Sequence, residues 1–529
     1  MNVKDRYSIS CNLRETAFYI YFAIMLTCKG IGLYEGMPAY NLCLVASTGV
    51  LFFKLLLDDY NIKEMAGMAV LALLGLFIWR NSGEKGPFLY ILLMIGMKGI
   101  PVKRVFRLGC FIWSSTFVIQ VLLALAGIRQ GVFMAHDKLG LGHIIRWGLG
   151  YPHPNVLHIS YGILIAFVLY VLRLEGKRLV MATVFCFMGN LYIFLYSVSY
   201  TGFIFTVAYL LVNLYLGLRK ERTKAEDVLI QMAFPACVLF SVAGPLVFPE
   251  KLFRICDKVL NNRFYLSNLY MSEGNWSLFG DRQQELKALG HTSTLDCSYT
   301  YLLMHGGIVI FVLMCAGYML LIHKYVKEKK NKELAIIIGL MIAGISEPFM
   351  FNTAYKNLGL IFMGSGLFEV MESKRNKVER KFRLFPAVGD RQFTISYEKY
   401  GEFRCHMIEW AGKNRKKLCS AGVAAALVFG AGYAVTADVP DSIYILKAGS
   451  DRYDEIVYLD IHNLPEGFHS RIVSYVDEKT PMYEFSGNMV RMEYVRGIVS
   501  SGLIGGVSVA GIYWIICCRR DRKKEGSAS

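Results

Sequence analysis

The sequence contains no CxxC pair, although it has 13 cysteines, so it carries neither a zinc nor a redox signature. Cys28, Cys43, Cys110, Cys186, Cys237 and Cys315 fall inside apolar runs, where a thiol packs as a small hydrophobe. No A-x-A-type cleavage site follows the first apolar run, which reads as a retained span. No internal repeat stands out, unlike transporters built from inverted halves. A basic face confined to one domain is also missing. The formal net charge is +17, but Lys and Arg are spread over short loops between apolar runs. That is the pattern of cytoplasmic loops in a membrane protein, and it argues against a nucleic-acid partner.

What the chain has in abundance is apolar length. Of its 529 residues, 54% are hydrophobic, and the mean hydropathy is +0.39; soluble domains run at roughly 45–50% apolar. Apolar runs lie at 16–34, 37–57, 66–79, 88–97, 108–128, 156–172, 179–196 and 202–218. Further runs lie at 228–248, 299–322, 334–348, 358–370, 418–435 and 499–516. Most reach the roughly 18–22 residues that cross a bilayer core. The basic stretches KGIPVKRVFR, RLEGKR, RKERTK, HKYVKEKKNK and RRDRKKEGSAS all fall on one side of this alternation. The positive-inside rule makes that side cytoplasmic, with both termini. The expected fold is an all-α polytopic integral membrane protein of about fourteen transmembrane helices.

The expected organisation follows. Residues 1–371 form a multi-span membrane domain with outer loops at 129–155 and 249–298. Residues 372–417 are a basic cytoplasmic linker, 418–518 a span, an outer module (436–494) and a span, and 519–529 a cytoplasmic tail. SIYIL, EIVYLDI and HSRIVSYVDE in the outer module alternate with period two, which predicts a small β-rich extracytoplasmic module.

Polar groups on the outer side are the candidates for chemistry. The first cluster, GHIIRWGLGYPHPN, holds His143, Arg146, His153 and Asn155. A guanidinium grips phosphate through two parallel hydrogen bonds, and Asn155 is placed to cap the next helix. Such residues decorate interfacial loops as readily as they bind ligands. In the second cluster, Tyr265, Leu266, Leu269 and Tyr270 recur at helical spacing. They predict an amphipathic helix along the membrane surface with Arg263 at its start. In the third, LDCSYTYLLMHGG, Asp296 stands just before a span, as an N-cap or as a general base. Glu347 in ISEPFMF lies near the outer end of its run, where a carboxylate is a functional candidate. Lys29 and Lys98, near span ends, are expected to snorkel. Cys256 and Cys297 bracket the long loop, and their pairing is left open.

These clusters, in this order, resemble the bacterial O-antigen polymerase and ligase superfamily, specifically the Gram-positive repeat-unit polymerases of capsule and exopolysaccharide synthesis. GLGYPHPN is similar to that family's GF-x-HPN signature, and NNRFYLSNLYMSEGNWSLFG to its long outer loop. LDCSYTYLLMHGGIV resembles the entry to its following span, and SEPF its late glutamate motif. The chain departs from the pattern with SYTG in place of SRT at 199–202, Asn262 before Arg263, and Cys297 after Asp296. The resemblance covers roughly residues 18–368 and implies a GT-C-like glycosyltransferase in the bacterial cytoplasmic membrane. Its reaction is inverting, metal-independent and cofactor-free glycosyl transfer between polyprenyl-diphosphate-linked oligosaccharides. It implies that Arg146 and Arg263 hold the diphosphate and that Asp296, or second Glu347, is the base. His153 would orient or donate a proton, with Asn155 and Tyr299 in support. Membrane lipids, a flippase and a chain-length regulator are the implied partners. A ligase acting on a cell-envelope acceptor is the near alternative. A lipid-linked saccharide flippase is the distant one, because the charges gather on one face instead of lining the spans.

Overall fold

The computed structural model describes residues 8–126, 128–129, 133–137, 143–219, 221–284, 286, 295–352, 355–371, 382–396, 398–437, 442–446, 456–457, 472–477, 480–486 and 488–527. Each of the fourteen apolar runs falls on helix. Among the described residues, ten helices are long and apolar enough to cross a membrane, and Gly86–Gly96 and Gly359–Glu369 are shorter apolar helices. The chain is a helical, polytopic membrane protein. It divides into two compact units: Asn12–Val121 with Asn155–Gln392, and Met1–Cys11 with Leu122–Pro154 and Phe393–Ser529.

Local sequence sets the helix boundaries in the larger unit. Asn61 and Glu64 close a reciprocal capping box before Ile62–Ser82, and Thr223 with Glu226 does the same before Lys224–Val242. Gly83, at φ 81°, ends the former helix in the left-handed region. Short connections make successive helices antiparallel. Leu13–Gly30 therefore runs from Glu15 to Lys29, and Pro38–Leu57 returns from Tyr40 to Lys54. One end of the bundle gathers Glu15, Lys54, Glu64 and Lys98, and the other gathers Lys29, Tyr40 and Glu84. Inside, large rings fill the core: Phe106 stacks on Phe362, and Phe234 on Tyr318. Outside, Leu42, Val45, Phe111, Phe185 and Leu229 are bare. An apolar surface around an apolar core is what a bilayer solvates.

The long polar stretch folds as two helices. Glu250–Leu260 buries no residue and leaves Leu252, Ile255 and Val259 exposed along one stripe. Arg263–Glu273 begins at Arg263 but buries Phe264, Ser267, Leu269, Tyr270 and Met271. The amphipathic surface helix predicted over 265–270 is thus corrected to the preceding segment. Apolar residues surround Arg263–Glu273 on too many sides to leave a lipid-facing stripe, and its apolar side chains pack into protein. Cys256 and Cys297, which bracket this stretch, are both free thiols.

In the smaller unit, Arg415–Thr436 packs on Asn488–Ser527. Their seam is lined by Gly422, Ala426 and Gly430 facing Gly502, Gly506 and Ala510. A Cβ on Gly506 would lie 2.7 Å from the Gly422 carbonyl oxygen. Small residues at four-residue spacing allow the close backbone approach that drives helix pairing in lipid. Ser442–Leu446, Ile456–Val457, Ile472–Asp477 and Thr480–Ser486 form a four-stranded antiparallel sheet, in the spatial order Ile456–Val457, Ser442–Leu446, Thr480–Ser486, Ile472–Asp477. Phe133–Asp137 pairs with His143–Trp147. Beside it, Arg496 donates to the Ile145 carbonyl (3.0 Å), and Trp147 to Glu493 (3.0 Å).

Candidate functional site

Four consecutive buried hydroxyls build the frame. In Ser298–Tyr301 each one ties a different element. Ser298 donates to the Glu347 carbonyl (2.5 Å) and Tyr299 to the Met341 carbonyl (2.8 Å). Thr300 donates to the Ser241 carbonyl (3.2 Å), and Tyr301 to Glu84 (2.6 Å). A π-turn at Leu302–Gly306 follows, a distortion common beside functional sites. Tyr299 therefore supports the site, fully buried between helices.

This frame brings Arg263, Asp296 and Glu347 together. Arg263 Nη2 lies 2.9 Å from Asp296 Oδ2 and 3.5 Å from Glu347 Oε1, and Nη1 donates to the Leu260 carbonyl (3.2 Å). The buried Arg263 Nε has no partner among the described residues. The Nε–Nη2 edge, with which a guanidinium holds an oxyanion side-on, is therefore only half used. Arg263 and Glu347 side chains are 7% and 9% exposed, whereas Asp296 is 30% exposed, which makes Asp296 the carboxylate that a ligand can reach. Burial pushes the Asp296 carboxyl above its ordinary range, and the Arg263 charge opposes that. Its placement corrects the capping expectation. Cys297 occupies the cap position of Ser298–Tyr301 without a side-chain bond, and Asp296 turns to Arg263 instead.

No family model, curated protein or solved structure matches this chain.

Other expected residues fall elsewhere. Arg146 is buried in His143–Trp147, opposite Met134, and His153 immediately precedes Pro154–Leu172. Both belong to the smaller unit, so the expected two-arginine clamp with Arg263 is not assembled within either unit. Asn155 does not cap the helix. Pro154 opens it and Asn155 lies in the first turn, in keeping with the preference for Pro at that position. Lys29 and Lys98 do not snorkel. Lys29 is 7% exposed, and Lys98 pairs with buried Glu64 at 2.5 Å. Among the described residues no group of His, Cys, Asp and Glu is placed to hold a metal ion.

The structure also supplies residues that the sequence reading passed over. Thr201 donates to Glu347 Oε1, so the SYTG turn at 199–202 serves the carboxylate. Ser199 caps the helix that carries Thr201, accepting from the Gly202 amide (3.3 Å). A buried histidine, His158, lies just past the first cluster in Pro154–Leu172. It lies 2.8 Å from Ser197 and 2.7 Å from Asn190, and joins two helices as a satisfied core residue. Lys356 is buried beside the site, and its charge is felt by Glu347. Hydropathy gives no signal for it, because it sits in a short break between two apolar runs.

Proposed function

We propose that this protein polymerises lipid-linked oligosaccharide repeat units at the outer face of a bacterial plasma membrane. In this reading it has fourteen spans, both termini cytoplasmic and the strands at 442–486 outside. The observation that carries it is the reachable Asp296 carboxylate 2.9 Å from the buried, half-engaged Arg263. A phosphate oxygen of the donor's polyprenyl diphosphate takes the Nε–Nη2 edge of Arg263 and displaces Asp296 from it. The freed carboxylate accepts the proton of the acceptor hydroxyl as that oxygen attacks the anomeric carbon. The bond from that carbon to the diphosphate oxygen breaks with inversion. The leaving diphosphate gains charge, which Arg263 stabilises in a site already oriented for it. Glu347, held by Thr201 and Arg263, keeps the guanidinium in place.

The test is purified protein in lipid with a lipid-linked repeat unit, products resolved on a gel. Wild type is expected to give a ladder, and Arg263→Ala and Asp296→Asn, folded in the same lipid, are expected to give none. Transfer of finished glycan to another acceptor without a ladder would replace the polymerase by the ligase. A ladder that survives both substitutions removes the site.

A further inference from the structure

Two largely buried lysines at this end of the bundle make no ion pair among the described residues. Lys29, in the last turn of Leu13–Gly30, is 7% exposed, and Lys356 is 9% exposed. Neither makes an ion pair or a hydrogen bond among the described residues. The Lys29 ammonium lies 4.4 Å from the centre of the Tyr40 ring, a partial substitute for hydration. Lys356 has no aromatic face of that kind among the described residues. Burying most of a lysine without a partner is costly, and the charge of Lys29 reaches Lys356.

The backbone around Lys356 is fixed. The preceding Tyr355 shares a hydrogen bond with Tyr21 (2.9 Å), on the helix that carries Lys29. The following Asn357 donates to the Met350 carbonyl (2.7 Å) and to Tyr318 (2.8 Å), and accepts from the Gly359 amide (3.0 Å). The amine is therefore presented by an anchored turn and not by a wandering loop. The charged groups whose fields reach Lys356 are Lys29 and Glu347, and Glu35 acts on Lys29. Glu347 links this pair to Arg263 and Asp296.

We infer that Lys29 and Lys356 form an anion seat that takes a phosphate group of the lipid-linked substrate, beside the Arg263 cluster. This rests on the functional reading above for the identity of the substrate, but not for the seat itself. Burial and the Lys29 charge push the Lys356 amine down to about 7, so an arriving diphosphate would also restore its proton.

The probe is inorganic diphosphate, titrated calorimetrically into the full chain in phosphatidylcholine nanodiscs. Wild type is expected to bind it. Lys29→Met and Lys356→Met should each weaken binding by about tenfold or more, the scale of a lost charged hydrogen bond, and Lys356→Arg should recover most of it. Neither Met variant should lower the thermal midpoint, because each removes an unpaired buried charge. Affinity unchanged in the double Met variant overturns the seat. Nanodiscs with phosphatidylglycerol separate the sources. Diphosphate binding that persists there supports the substrate, and binding abolished there assigns the seat to bilayer headgroups and overturns the substrate assignment. Lysine-dependent binding without a ladder on the gel retires the polymerase and keeps the seat. A ladder with lysine-independent binding does the reverse.

Discussion

The two ends of the larger unit solve the same electrostatic problem in opposite ways. At the end that holds Lys54, cations are closed by dedicated partners. Lys54 meets Asp58 at 2.5 Å, Lys98 meets Glu64 at 2.5 Å, Arg104 meets Glu15 at 2.6 Å, and Arg222 meets Asp227 at 2.6 Å. Arg14 bridges Asp59 and Asp390. At the other end Arg263 serves two carboxylates, and Lys29 and Lys356 make no ion pair among the described residues. Closed pairs hold helices together and leave nothing for a ligand to exchange with. The unclosed end keeps charge in reserve, at a cost in stability that the closed end does not bear.

That contrast can be broken by substitution. The largest effect is expected at Arg263. Arg263→Ala should lower turnover on lipid-linked substrate by about a hundredfold to a thousandfold, the range for a lost electrostatic stabiliser, while Lys54→Met leaves turnover per folded molecule unchanged. Next comes stability at the closed end. Glu64→Gln should cost about 3–5 kcal/mol by stranding Lys98, read as a lowered unfolding midpoint in a fixed detergent, whereas Lys356→Met should not lower it. If both variants lose stability equally, the distinction between the two ends fails.

The pH profile sharpens the comparison further. Turnover should climb as Asp296 loses its proton, along a limb centred above the ordinary aspartate value of about 3.9, because burial raises that carboxyl. It should fall again as pH rises through about 7, where Lys356 loses its charge. Lys356→Arg should remove the fall, because a guanidinium stays charged. A wild-type rate still climbing at pH 8 would remove Lys356 from the cycle. The smallest effect is expected from Thr201→Val, which deletes one hydrogen bond to Glu347 and should slow turnover about fivefold, worth about 1 kcal/mol.

The helices were legible because apolar runs of bilayer length have few other readings. Arg263, Asp296 and Glu347 were legible for the same reason, as polar residues conspicuous against an apolar background. Lys29 and Lys356 were not. A lysine near a span end looks the same in sequence whether it snorkels to water or turns inward, and only the packing of Tyr21 on Tyr355 decides it. The surface helix was misplaced by one segment, because helical spacing of aromatic residues at 265–270 does not reveal how much protein covers them. His158 escaped notice five residues beyond His153, since a histidine satisfied by Ser197 and Asn190 needs partners that are distant in sequence.

The hydroxyl run at Ser298–Tyr301 is constrained in length as well as in composition. Its four anchors reach Glu347, Met341, Ser241 and Glu84 from four successive positions. Deleting or inserting one residue upstream within that turn rotates every anchor by about 100° at once. Point changes there can be absorbed one bond at a time, but changes of length cannot. The stretch behaves as a ruler whose reading frame is fixed, so its length is a tighter constraint on the fold than the identity of any one of its bonds.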